Sequence, residues 1–160
     1  MDHSLPFLTK HDIIQAHEIN MATAKALKNK FGVGYKGILY GGFIATADGV
    51  KLIEYNARFG DPEAMNVLSL LESDFIEICN GIADGRLNKI DVCFKNKATV
   101  CKYAVPEGYP DNPIKGKSID ITKIENPDGL FYASVDVLDG KLVEAGSRTV
   151  AVVGIAESIS

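Results

Sequence analysis

No apolar run in the sequence has membrane-spanning length, which argues against a helical membrane protein. The Met1 end carries Asp2 and His3 and lacks the apolar core of a signal peptide, so the default expectation is a cytoplasmic protein. Cysteine is scarce. Cys79, Cys93 and Cys101 are odd in number and none belongs to a C-x-x-C pair, so disulfides and zinc are not expected and buried free thiols are. A basic cluster is also missing: 17 Lys and Arg stand against 21 Asp and Glu, giving a net charge of -4 that disfavours nucleic acid as a partner. The three histidines, His3, His11 and His17, do not share a helical face at i, i+4 spacing, which excludes a histidine metal site and leaves them facing solvent. With 46% hydrophobic and 24% charged residues, the 160-residue chain has an ordinary globular composition, enough for one domain or two small ones.

Residues 1 to 8 read as an arm whose Leu5-Pro6-Phe7-Leu8 packs on something, and Thr9 with Asp12 forms a capping box that predicts a helix over about 10 to 29, stopped by Gly32. Two strands, Tyr35 to Thr46 and Val50 to Asn56, flank Ala47-Asp48-Gly49, a strong hairpin signal. After Pro62 a helix carries Ala64, Val67, Leu68, Leu71, Phe75, Ile78 and Cys79 as a core-facing stripe, ending around Asn80-Gly81 and Ala83-Asp84-Gly85. A connector follows, and then short strands: Thr99 to Val105, Lys117 to Ile124, Leu130 to Leu138, Lys141 to Ala145 across the Asp139-Gly140 turn, and Arg148 to Val153. Ala156 to Ser160 reads as the start of a further helix. The pattern predicts an α+β fold: residues 1-80 with helix, antiparallel hairpin and helix, a connector over 81-96, and a small β-rich sheet or barrel over 97-160. Gly32-Val33-Gly34-Tyr35-Lys36-Gly37 matches G-x-G-x-x-G, but it follows a helix and enters a strand, the reverse of the dinucleotide-binding order.

Chemistry concentrates in Glu54-Tyr55-Asn56-Ala57-Arg58-Phe59-Gly60-Asp61-Pro62-Glu63. Side chains two apart on a strand share a face, so Glu54, Asn56 and Arg58 are expected to point together. A carboxylate and an amide oxygen are hard ligands suited to Mg2+ or Mn2+, whereas a guanidinium grips phosphate oxygens. Two protein oxygens make an incomplete shell, which suits a cation that finishes its coordination with water and nucleotide phosphate. Gly60 permits a tight turn, Asp61 is a good N-cap and Pro62 suits the first helical position. With Asp61 and Glu63 already acidic, the helix start is better matched to an amine or cation than to an anion. The same face also reads as the wet side of a half-exposed strand, with Asp61 a simple cap.

The run Gly37-Ile38-Leu39-Tyr40-Gly41-Gly42-Phe43, then Asp48 to Ile53, then Glu54 to Glu63, resembles the phosphoribosylamine-glycine ligase family, also called glycinamide ribonucleotide synthetase, of the ATP-grasp class. The resemblance continues through Leu71-Glu72-Ser73-Asp74, Glu107-Gly108-Tyr109-Pro110, Lys115-Gly116 and Ala145 to Val150. It implies the C-terminal half of an ATP-grasp domain followed by a truncated β-rich domain that closes over the substrate side of the cleft. Members are much longer, so the resemblance implies a fragment without the glycine-rich loop and lysines that cover ATP.

The implied activity of the parent protein is ligation of glycine to 5-phosphoribosylamine with ATP, through a glycyl phosphate, in purine biosynthesis. In that reading Glu54 and Asn56 hold Mg2+ or Mn2+ and, with Arg58, contact the nucleotide. Arg58 meets the transferring phosphate, and Asp61 and Glu63 face the glycine amine. Departures are visible: residues 37 to 45 contain no acid, Ala64-Met65 replaces Thr-Gln, and Gly146-Ser147-Arg148 replaces Gly-Gly-Arg. The alternatives are another ATP-grasp ligase joining a carboxylate to an amine, and a non-catalytic β-rich interaction domain. A further expectation is a folded, inactive chain that forms a homodimer through surface a missing half would cover.

Overall fold

A capping box opens the first element of the structure, a computed structural model that describes residues 5–125 and 127–159. The Thr9 hydroxyl accepts from the Asp12 N–H at 3.2 Å and the Asp12 carboxylate accepts from the Thr9 N–H at 2.8 Å. Helix α1, Lys10–Phe31, runs from there to Gly32, whose φ of 77° lets its N–H bond the Lys28 carbonyl. The apolar arm before it does not pack away: Leu5 and Phe7 are exposed, and residues 1 to 4 lie outside the described residues. His11 and His17 face solvent, as expected, and His3 also lies outside the described residues.

Strands β1, Tyr40–Thr46, and β2, Gly49–Asn56, form an antiparallel hairpin closed at Ala47-Asp48, with Gly49 at φ 93°. The first strand starts later than its sequence predicts, because Tyr35 turns back to share its hydroxyl between the carbonyls of Ile38 and Ala57. Near the turn Phe43 pairs with Leu52, but beyond it Gly42 pairs with Glu54, leaving Ile53 as an extra residue. This β-bulge shifts the register by one residue for the rest of the hairpin. Helix α1 lies on one face, where Val50 donates to Gln15 Oε1 at 3.1 Å and the Tyr55 hydroxyl is hydrogen-bonded to Asn20 and Thr23.

The single helix expected after Pro62 is two helices, α2 over Glu63–Leu68 and α3 over Phe75–Asp84. Tertiary pairing overrides the periodic stripe: Leu71 bridges Phe94, the Glu72 N–H bonds the Cys93 carbonyl, and the Ser73 hydroxyl reaches Asp91 and Cys93. Asp74 then caps a new helix, accepting from Ile76 N–H at 2.7 Å and Glu77 N–H at 3.2 Å. Helix α3 continues through Asn80-Gly81 to Gly85, because Gly81 is a packing site: a side chain there would strike Ile90.

The chain forms two compact units: the first covers Met1–Val67 and Leu71–Phe94, the second Leu68–Leu70 and Lys95–Ser160. In the second, β7, Val150–Ala156, is the central strand of a three-stranded antiparallel sheet, flanked by β3, Ala98–Ala104, and β4, Leu130–Tyr132. Val150, Ala151 and Val153 of β7 are buried, as is Val143 of the second hairpin, β5 Val135–Leu138 with β6 Lys141–Glu144. Its turn has Asp139 and Gly140 both at positive φ, 50° and 73°, the backbone that a two-residue Asp-Gly loop adopts.

Three expected elements in this unit change. Leu130 to Leu138 is broken at Ala133-Ser134, where the chain leaves β7 and joins β6: Ser134 N–H bonds the Arg148 carbonyl and Ser134 carbonyl accepts from Ala145. Lys117 to Ile124 is not a strand: backbone bonds of Lys117 and Ile119 to β6 bracket a single bridge at Ser118, and Asp120 then takes both the N–H and hydroxyl of Thr122 in a side-chain turn. Ala156 ends a strand paired to Ala98 and does not begin a helix; Ser160 lies outside the described residues. Cys79 and Cys93 are exposed thiols, contrary to the burial their composition suggests. No helix among the described residues is long and apolar enough to cross a membrane.

Replacing Asp74 with alanine removes both cap bonds of α3 and should destabilise the first unit by about 1 kcal/mol, with Asp74→Asn close to wild type. Urea unfolding of the three chains checks this, and equal midpoints for Asp74→Ala and wild type would refute it.

Candidate functional site

Glu54 and Asn56 do project from the same face of β2, opposite the one that carries Tyr55 against α1. The Asn56 amide donates from Nδ2 to Glu54 Oε1 at 3.2 Å, so the two polar ends meet without a cation. For a divalent ion to use both, the amide must turn about its final bond and present Oδ1 beside the carboxylate. The donor set fits Mg2+ or Mn2+ of the kind that keeps water and phosphate ligands: a carboxylate and an amide in hydrogen-bonding contact at the end of a strand, Glu54 exposed and Asn56 half-buried. Among the described residues no group of three or more His, Cys, Asp or Glu could enclose a metal ion, so a self-sufficient protein cage is not what these residues build.

Arg58 lies past the end of β2, so strand alternation does not reach it. It is exposed, and its Nη1 donates to the neighbouring Phe59 carbonyl at 2.6 Å. A guanidinium has five N–H donors, so this bond leaves others to pair with a phosphate. Asp61 is exposed in the turn, the peptide bond before Pro62 is cis, and α2 begins one residue later, at Glu63. Pro62 therefore sits ahead of the helix and not at its first position. The Ala64 N–H bonds back to the Gly60 carbonyl at 2.9 Å, which ties the helix to the turn.

Gly60 is buried, and it makes the turn possible by being bare: a methyl there would come within 2.5 Å of Glu63 Oε2 and 3.1 Å of the Tyr40 ring. Tyr40 is the site residue that sequence reasoning missed. It pairs with Asn56 across the hairpin, its ring and the Glu63 carboxylate both border Gly60, and the charges of Glu63 and Glu54 reach it. Regular pairing outward from the turn would have set Tyr40 opposite Tyr55 on the α1 face; the bulge moves it to the Glu54 side. Nothing in the residue types signals that bulge.

The Gly146-Ser147-Arg148 departure falls in the second unit. Arg148 stacks its guanidinium over the Tyr103 ring at 5.3 Å. Beside it, Thr149 is only 3% exposed, donates its hydroxyl to Glu144 Oε1 at 3.4 Å, and bonds the Ala104 carbonyl through its N–H. Glu144 Oε2 is buried without a hydrogen-bond partner. Gly146 presses on Ser134, where a side chain would collide.

A family model described as phosphoribosylglycinamide synthetase, ATP-grasp (A) domain, matches residues 3–64, and one described as phosphoribosylglycinamide synthetase, C domain, matches residues 99–160. The chain belongs to the phosphoribosylglycinamide synthetase family. A phosphoribosylamine-glycine ligase of Methanocaldococcus jannaschii is 56% identical over 99% of this chain and 36% of its own length. One from Methanocella arvoryzae is 52% identical over 98% of the chain and 36% of its length. The crystal structure of a phosphoribosylamine-glycine ligase from Thermotoga maritima superposes with a TM-score of 0.78 at 29% identity, covering 97% of this chain and 38% of that one. The chain thus spans 36% of the length of those two curated relatives. Its α+β architecture is that of the family.

Burial, then the neighbouring Glu63 charge and its hydrogen bond, push the Tyr40 phenol up to about 12. Because this is above the ordinary tyrosine value near 10, stability owed to this proton is intact below about pH 10 and is lost as pH rises toward 12. In a tyrosinate absorbance titration without divalent cations, a late component should vanish in Tyr40→Phe and move to lower pH in Glu63→Gln. A titration unchanged by either variant would contradict the assignment.

Proposed function

We propose that this chain is part of an ATP-dependent carbon–nitrogen ligase that joins glycine to 5-phosphoribosylamine and releases ADP and phosphate. The observation that carries the reading is the Glu54–Asn56 pair on one strand face, followed within one turn by Arg58, Asp61 and Glu63, in a chain matched by both synthetase domain models. In this reading residues 1-80 belong to the ATP-grasp domain, 81-96 connect, and 97-160 form the β-rich C-terminal domain. The protein would be cytoplasmic, like the metabolic step it serves.

Glu54 and Asn56 would hold Mg2+ or Mn2+ bound with ATP, which supplies charge neutralisation for the phosphates. The glycine carboxylate attacks the γ-phosphorus, the bond to the β-phosphate oxygen breaks, and ADP leaves with glycyl phosphate formed. The amine of phosphoribosylamine then attacks the glycyl carbonyl, loses a proton and expels phosphate. Phosphoryl transfer asks for positioning and charge more than for covalent help. Arg58 would balance charge on the transferring phosphate, and Asp61 and Glu63 supply the negative field that suits the glycine ammonium.

In a full-length ligase carrying this segment, Glu54→Gln should abolish most activity at limiting Mg2+ while leaving folding intact, since it deletes a ligand charge and keeps the volume. Wild-type turnover under that condition would sink the metal assignment. The 160-residue chain alone should release no ADP with glycine and phosphoribosylamine, given that it carries 36% of its relatives' length. Substrate-dependent ADP release would overturn that expectation.

A further inference from the structure

In the first unit Ile78 is the one large apolar side chain buried among the described residues, and helix α1 buries none. A unit that keeps so little from water has a small return against the entropy of ordering its backbone. Surface area gives the same result. A globular chain of 17.3 kDa exposes about 7,800 Å2, and two separate globules of half that mass about 9,400 Å2. The chain exposes 11249 Å2, so division into two units does not account for the surplus.

The β1–β2 hairpin is one place where a cover is missing. No third strand among the described residues pairs with it, and a two-stranded hairpin is marginal without a further strand or an apolar seam. Helix α1 meets the Tyr55 face through polar bonds to Gln15, Asn20 and Thr23. On the opposite face Ile44 stands two residues from Gly42, the partner of Glu54, and is 50% exposed. The bulged Ile53, next to Glu54, is 66% exposed. β-Branched aliphatics on a strand suit a pleated surface that is at least half covered. The hairpin lies within residues 3–64, matched by the ATP-grasp domain model, and the chain accounts for 36% of the length of two relatives, which leaves the larger part of such a protein to cover this face.

We propose that the hairpin face bearing Ile44, with the bulged Ile53 beside it, is a docking surface for the remaining part of an ATP-grasp ligase, and that this remainder binds there even when supplied as a separate chain. The proposal rests on the ligase reading above and adds that the two parts recognise each other without a peptide bond between them. By the stricter comparison the surplus surface is about 1,800 Å2. Covering it buries a similar area on the partner, which is the scale of obligate interfaces and is large enough to hold without a covalent link.

Co-expression tests this. The 160-residue chain is produced together with a tagged second chain that holds the rest of a full-length ligase carrying this segment. An equimolar complex should be captured, and Ile44→Thr combined with Ile53→Thr, which keeps the β-branched shape, should weaken it about tenfold. No capture by a folded second chain, or capture of the double variant at wild-type strength, would overturn the proposal. Elution of the 160-residue chain as a dimer that the double variant abolishes would also overturn it, by giving the face to a second copy. Urea unfolding decides the case in which the tagged chain does not fold by itself. In the 160-residue chain the double substitution should leave the midpoint unchanged, because both side chains are exposed. In the intact ligase it should lower the midpoint by about 1 M. Equal midpoints in the intact ligase refute the docking surface. If the complex forms and the double variant weakens it, but the intact wild-type protein shows no glycine-dependent ADP release, the surface stands and the ligase reading falls.

Discussion

The bulge at Ile53 changes the pairing of the β1–β2 hairpin from Phe43 opposite Leu52 to Gly42 opposite Glu54, and the composition of the site follows from that one-residue shift. In a regular hairpin with the same turn, Glu54 would face Gly41 and Tyr40 would face Tyr55. Side-chain alternation has a period of two, so a slip of one exchanges the faces of every β1 residue beyond it. The slip brings Tyr40 to Asn56 and so to Glu63, and it leaves glycine at position 42 beside Glu54, where nothing crowds the carboxylate. Hairpin, turn and short helix therefore work as one device whose setting is made at the residue that precedes Glu54.

Much of that device was legible in the residues. The capping box at Thr9, the Asp-Gly turns and the strand bearing Glu54 and Asn56 are local features, written in side chains that act on their own neighbours. The parts that were not legible depend on contacts between distant residues. The helical stripe from Ala64 to Cys79 is real as a periodicity, yet pairing of Leu71 to Ser73 with residues 91 to 94 divides it. Lys117 to Ile124 has strand-like residues, but Asp120 offers Thr122 a local alternative. Tyr40 stood inside a motif that resembles the family and still gave no sign of its role, because register is not a property of any single residue.

The two compact units distribute their burial differently. In the second, one central strand supplies three of the buried side chains, Val150, Ala151 and Val153, and the Gly146-Ser147-Arg148 departure lies just before it. Glu144 and Thr149 meet there, one with an unpartnered oxygen and the other almost sealed from water, so the Gly146-Ser147-Arg148 corner is held by packing and by backbone bonds to Ser134 and Ala133. In the first unit α1 has no buried residue, and Ile14, Met21 and Phe31 are exposed. Its helix is defined by its two caps and by polar contacts to β2 more than by an apolar seam.

Tyr55 sits between Glu54 and Asn56 in the chain and points the opposite way, to Asn20 and Thr23 of α1. The strand is thus a two-sided board: one side is pinned by a helix that owes little to burial, and the other carries the Glu54 and Asn56 side chains. Loosening α1 would free the peptide planes on both sides of Tyr55, and with them the angle between the Glu54 and Asn56 side chains. Order in a helix on the far face is in this way converted into the angle at which two polar side chains meet.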